Sequence, residues 1–415
     1  MVTLGPRLKG FKKLTSVDDA LFLFLKELKP TRLGVDYVPI NEALERVAAE
    51  NILAPNDLPR FDRSAMDGYA IRANDTVEAS EFKPKLLKLT RKDSVNKGEA
   101  TQIWTGGMLP KGADAVVMLE HTRKAEGGME VLAALTPGEN ISKRGEDVRK
   151  NEIVAKAGIR LQPQHLGLLA GLGITHINVA RKPKVALLST GSELVEFGQK
   201  PKLGQVINAN QLILSAMCKQ IGAEPVNLGL ARDQLDEITR RIGEAVKQAD
   251  VVITTGGTSV GHADLVPIAV NKLGKHGVII HGIAMRPAMP TALGIVQGKP
   301  VFILSGYPVA AMVGFEVFAR PTILKLSGIE DEPRPMLKAK LTRRVASALG
   351  RRVYLRVYVF EKEGEFFAEP IRTRGSGVLS TMTKANGYVV IPEAREGLEE
   401  SETVIVHLFN KIGGK

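Results

Sequence analysis

The sequence has one cysteine, Cys218, in 415 residues. A disulfide framework and a cysteine-built zinc site are therefore excluded within one chain, and the usage suits a reducing cytoplasm. Aromatic residues are scarce, at 5%. No apolar run is long enough for a membrane span. The longest, Val301 to Phe315, is broken by Ser305, Gly306, Tyr307 and Pro308, and reads as a strand, a tight turn and a helix. Leu21 to Leu25 is too short for a secretory leader. The chain has no GxxxxGK[ST] phosphate loop and no GxGxxG between a strand and a helix. Internal repeats and low-complexity linkers are also absent.

What is present is a soluble globular composition: 44% hydrophobic and 25% charged, with 41 glycines and 22 prolines. The length exceeds one ordinary core and implies several domains. The net charge is +12. It favours an anionic ligand over nucleic acid, because the basic residues are scattered and rarely interleaved with aromatics.

Periodicity is clearest in the middle of the chain. Val185–Leu188, Val226–Leu228, Val251–Ile253, Val278–Ile280, Leu293–Val296 and Val301–Leu304 read as strands. Between them, Leu212–Ile221 and Leu265–Leu273 read as helices. Asp233 is expected to cap a further helix bearing Leu235, Ile238, Ile242, Ala245 and Val246. Pro308 is expected to open a long helix to about Leu326. The alternation predicts a multidomain α/β plus β protein, with a mostly parallel central sheet over 183–328. Residues 329–415 alternate as a small β domain, and 55–147 as another. Residues 1–54 and 148–182 are expected to form a discontinuous extended or helical linker domain.

Three loops follow strands of the central domain. The densest is Thr254-Thr255-Gly256-Gly257-Thr258-Ser259-Val260-Gly261-His262-Ala263-Asp264. Its glycines allow close backbone approach, while amides and hydroxyls can hold phosphate oxygens. Ser189-Thr190-Gly191-Ser192-Glu193 and Ser305-Gly306-Tyr307-Pro308 are the others. In a parallel sheet all three fall on the carboxyl edge, where ligands bind. Two further segments mix acids, arginines and hydroxyls: Phe61-Asp62-Arg63-Ser64-Ala65-Met66-Asp67-Gly68-Tyr69-Ala70 and Arg144-Gly145-Glu146-Asp147.

Taken in order, these segments resemble the MoeA family and the related gephyrin E domain. Thr105-Gly106-Gly107-Met108-Leu109-Pro110, Ala113-Asp114-Ala115-Val116-Val117 and Leu304-Ser305-Gly306-Tyr307-Pro308-Val309 extend the likeness over nearly the whole chain. The resemblance implies insertion of molybdate or tungstate into adenylylated molybdopterin, with release of AMP and a need for Mg²⁺. It implies an elongated homodimer of four-domain subunits, with the molybdopterin adenylyltransferase as a further partner. It marks Asp67, Asp147, Glu193 and Asp264 as catalytic acids, with Asp67, Glu193 and Asp264 holding metal. The ligand-binding set is Ser64, Thr190, Gly191, Thr255, Gly256, Gly257, Thr258, Ser259, Gly261, Ser305, Gly306 and Pro308. Arg286, Arg356 and Ser376 are placed near the oxyanion. The family often has Lys-Pro-Gly-Lys-Pro where this chain reads Arg286-Pro287-Ala288-Met289-Pro290, and many relatives carry a serine where Ala310 stands. Two rival readings are a molybdopterin-binding or scaffold protein without turnover, and a molybdopterin adenylyltransferase.

Overall fold

The computed structural model describes residues 14–257, 264–371, 375 and 377–414. The chain divides into two compact units. Asp36–Val179 forms one; the segments on either side of it, through Val35 and from Ala180, form the other.

In the Asp36–Val179 unit, six strands make a mixed sheet in the order Ala115–Met118, Gly68–Ile71, Glu99–Ile103, Lys85–Thr90, Gly128–Val131, Thr122–Ala125. Tyr69, Ile71, Leu87, Ala100, Val117, Met129 and Val131 form its core. Gly68 is required by the pairing itself, since a Cβ there would stand 1.9 Å from the Val117 carbonyl oxygen. A second core joins the two ends of this unit. Ala43, Ala48 and Ile52 pack with Ala155, Leu161, Leu169, Ile177 and Val179. Here Ile52–Leu53 pairs with Ile153–Ala155.

The other unit carries a six-stranded sheet ordered Glu224–Ala231, Lys184–Thr190, Val251–Thr255, Lys299–Leu304, Ala292–Val296, Gly277–His281. The first four strands are parallel; Ala292–Val296 runs opposite to them, and Gly277–His281 pairs antiparallel with it and so regains their direction. Val251–Thr255 is buried at every position, as expected of a strand covered on both faces. The helix Leu235–Gln248 turns Ile238, Ile242, Ala245 and Val246 inward at three- and four-residue spacing. Its N-cap is Gln234, not the expected Asp233. Asp233 instead accepts a 2.9 Å hydrogen bond from the Ser192 amide. After Pro308 the expected single helix is interrupted: Pro308–Gly314 and Arg320–Leu326 are α-helical, and Phe315–Ala319 is a π-helical turn.

The helix Val17–Leu28 also belongs to this unit, rather than grouping with 36–54. Ser16 caps it by accepting from the Asp19 amide at 3.1 Å. Phe24, fully buried, meets Phe302 edge-on at 5.4 Å. Beyond the central sheet, five strands close on themselves: Arg352–Lys362, Glu365–Pro370, Met336–Leu341, Thr403–Leu408, Gly387–Ile391 and back to Arg352–Lys362. Leu341, Leu355, Val357, Val359, Ala368, Val389, Ile391 and Val406 fill this barrel, whose closure removes the edge strands. Among the described residues, no helix is long and apolar enough to cross a membrane.

Candidate functional site

The expected site residues fall in two groups, one in each unit. In the Asp36–Val179 unit, Asp67 is exposed at the end of a loop. Its Oδ1 accepts from both the amide (2.7 Å) and the hydroxyl (2.6 Å) of Thr105. These bonds, the hydroxyl first, hold its carboxyl below the usual range and keep it ionised. Ser64 is buried and its hydroxyl donates to the Met66 carbonyl, so it shapes the loop rather than facing solvent. Asp147 is exposed, and its own amide donates to the Leu58 carbonyl at 3.2 Å. Its neighbour Glu146 is committed to the Ser142 hydroxyl and the Lys143 amide.

In the other unit, the three glycine-bearing loops come together. Lys184–Thr190, Val251–Thr255 and Lys299–Leu304 are adjacent parallel strands, so their carboxyl ends lie side by side. The contacts are close. A Cβ on Gly256 would stand 2.2 Å from the Thr190 carbonyl oxygen, and one on Gly306 would stand 3.5 Å from the Gly256 Cα. Gly256 also has φ +92°, a backbone region that favours glycine. The hydroxyls of Thr255 and Ser189 are 3.1 Å apart. The Glu193 carboxylate oxygens lie 2.8 and 2.9 Å from where a Gly191 Cβ would be, so this acid turns back over its own loop. Asn210, which sequence reasoning missed, donates to the Gly306 carbonyl at 2.8 Å and ties the third loop to the helix Ala209–Gln220. The only hint of this in the sequence is the pair Asn208 and Asn210 at a helix start.

Asp264 ends the dense loop as the N-cap of Leu265–Lys272. Burial pushes its carboxyl up to about 6, and its Oδ1 has no hydrogen-bond partner among the described residues. Thr258, Ser259, Gly261 and Ser376 lie outside the described residues. Among the described residues, no three His, Cys, Asp or Glu side chains are grouped to hold a metal ion. Asp264 still fits Mg²⁺, which takes one or two carboxylates and fills its shell with water and substrate phosphates.

Beside these loops opens a cavity of about 380 Å³. Met285 to Pro290 form one wall, Ser305, Tyr307 and Ala310 a second, and Arg351 with Val353 to Arg356 a third. Pro308 starts the helix behind the second wall. Arg356 is only 6% exposed. Burial first, and then the nearby Arg286 guanidinium, lower its proton affinity. Such crowding of positive charge in a concave site suits an anionic ligand. Met289 and Ala310 face this cavity as neutral groups.

The MoeA N-terminal region (domains I and II) matches residues 15–173, a probable molybdopterin binding domain matches 186–325, and the MoeA C-terminal region (domain IV) matches 338–409. A Methanocaldococcus jannaschii protein named for molybdopterin biosynthesis is 39% identical over 97% of this chain and 99% of its own. The chain belongs to the MoeA family. The Haemophilus influenzae molybdopterin molybdenumtransferase is 34% identical, over 97% of this chain and all of its own. A solved MoeA structure from Pyrococcus horikoshii superposes with a TM-score of 0.82 at 37% identity, covering 96% of this chain and 100% of that one. The architecture is thus the MoeA multidomain fold, a molybdopterin-binding domain with flanking β domains.

Proposed function

We propose that this MoeA-family chain is a molybdopterin molybdenumtransferase of molybdenum cofactor biosynthesis, inserting molybdate or tungstate into adenylylated molybdopterin with release of AMP. The observation that carries the reading is the near full-length likeness to a relative of that name. The arginine-lined cavity beside three phosphate-type loops supports it.

In this reading the pterin nucleotide lies over the sheet edge. Gly256 and Gly257 let its phosphates approach the backbone, and Thr190, Thr255 and Ser305 offer hydroxyls. Arg286 and Arg356 hold the oxyanion, because a guanidinium matches oxyanion geometry and stays charged when buried. Asp264 and Glu193 would hold Mg²⁺. When bound there, the ion would supply positive charge to the phosphate oxygens. Asp67 acts as an ionised carboxylate whose position is fixed by Thr105. The site is completed in a homodimer, which places Asp67 of one copy at the cleft of its partner. The protein works in the cytoplasm and receives its substrate from the molybdopterin adenylyltransferase.

The deciding experiment is incubation with adenylylated molybdopterin, Mg²⁺ and each oxyanion, followed by measurement of AMP. AMP formation that depends on molybdate or tungstate is the expected result. Consumption of ATP instead would make the protein an adenylyltransferase. Nucleotide binding with no turnover would make it a binding module.

A further inference from the structure

The cavity wall holds a third arginine that no motif marks. We propose that Arg351 is a specificity-determining residue of the oxyanion pocket, supplying a third positive charge to a doubly charged tetrahedral anion alongside Arg286 and Arg356. The inference rests on the reading of the cavity as the oxyanion site.

Among the described residues, three arginines and no Asp or Glu line the cavity. Among the described residues, neither Arg286 nor Arg351 has a carboxylate within ion-pair distance. The next residue, Arg352, is treated differently. Asp18 takes it at 2.8 and 2.6 Å and Glu393 at 3.1 Å. The fold thus neutralises one of two adjacent arginines and leaves the other facing the cavity. A cation kept only for solubility needs no such place, and one kept for packing would be given a carboxylate.

The backbone at Arg351 is also held. The Gly350 amide donates to the Glu393 carbonyl at 2.8 Å, and the Arg352 amide to the Ala284 carbonyl at 2.9 Å. Met285 and Arg286 pair in parallel with Arg352 and Val353, so the strand pair itself fixes Arg286 beside this stretch. The half-buried Arg351 side chain is therefore delivered from a fixed base, which lowers the entropy lost on gripping a ligand. Three guanidiniums about one cavity repel each other, and a doubly charged ligand relieves that repulsion more than a singly charged one of the same shape. Arg351 should therefore govern discrimination by charge.

The test is calorimetric titration of the full-length protein with sodium molybdate, sodium tungstate and sodium perchlorate, a tetrahedral anion with one charge. Arg351→Gln should weaken molybdate and tungstate binding about tenfold or more and perchlorate binding less, so that the preference for double charge shrinks. Arg351→Lys should keep part of the affinity. Adding Met289→Lys to Arg351→Gln should restore part of the loss, since residue 289 lines the same cavity. Thermal melts of all variants should match the wild type. Wild-type molybdate affinity in Arg351→Gln would overturn the proposal. So would an equal loss for both anion classes with a lowered melting temperature, which marks a structural role. A wild type that binds neither molybdate nor tungstate would instead overturn the reading of the cavity, and the proposal with it.

Discussion

Thr105 gives Asp67 two hydrogen bonds through one carboxylate oxygen, across 38 positions of sequence. An asparagine at 67 keeps an acceptor oxygen there, so the loop should survive while the charge is lost. Asp67→Asn is therefore expected to melt with the wild type and to slow AMP release by roughly two orders of magnitude. Unchanged AMP release would remove Asp67 from the chemistry. The segment around Asp67 stands out in the sequence because acids, arginines and a hydroxyl crowd one turn. Its donors do not, since Thr105 lies on another strand connection. Arg351 and Arg352 make the same point: adjacent and alike in sequence, they differ because Asp18, 334 residues away, pairs with only one. Asp233 looks like a helix cap by local pattern, but the Ser192 amide, 41 residues earlier, takes its carboxylate.

Strands and helices of the central sheet follow local patterns, and most were readable. Val251–Thr255 is an apolar run ending in glycines, and Leu235–Gln248 has one apolar face. Features set by distant contacts were not readable: the reversed direction of Ala292–Val296, the π-helical turn at Phe315–Ala319, and the closure of Arg352–Lys362 onto Gly387–Ile391. The loops between parallel strands are tight enough to test. Gly256→Ala would force a Cβ to within 2.2 Å of the Thr190 carbonyl at φ +92°. A loss of about 2–4 kcal/mol in chemical denaturation is expected, together with loss of nucleotide binding. Full stability in that variant would mean the three loops can separate freely.

The C-terminal barrel carries a pH-dependent element. His407 stacks on Tyr388 at 5.0 Å, nearly parallel. Burial holds its pKa below the usual value near 6.5, outweighing the opposite pull of Glu316. The folded ring therefore stays neutral at pH values where the unfolded chain takes up a proton. Its contribution is fully present above the unfolded pKa and is lost as pH falls below it. The melting temperature should drop between about pH 7.5 and about pH 5, and drop less in His407→Gln. Identical pH profiles for the two proteins would remove His407 as a cause.

At the scale of the whole molecule, the question is what completes the site. Asp67 belongs to the Asp36–Val179 unit, and Arg286 to the other. Around Asp67, the side chains of Phe61 (43%), Met66 (45%), Trp104 (58%) and Met108 (65%) are exposed. They lie on one patch, because Ser64 exchanges backbone hydrogen bonds with Gly106 and Gly107, and Arg63 bridges to Met108. An apolar patch of this kind usually meets a partner. A closed two-fold dimer would cover it on both copies at once, and would bring each Asp67 to the other copy's cavity. Light scattering should then give about twice the chain mass of 44.9 kDa. Mass alone does not show that the site is shared; complementation does. Asp67→Asn and Arg286→Ala should each be inactive as pure dimers. In a refolded equimolar mixture, half of the dimers are mixed, and in each of these one cleft receives Asp67 from one subunit and Arg286 from the other. Activity should return to about a quarter of the wild-type value. A site built within a single chain leaves every cleft defective, and the mixture would stay as inactive as its parts.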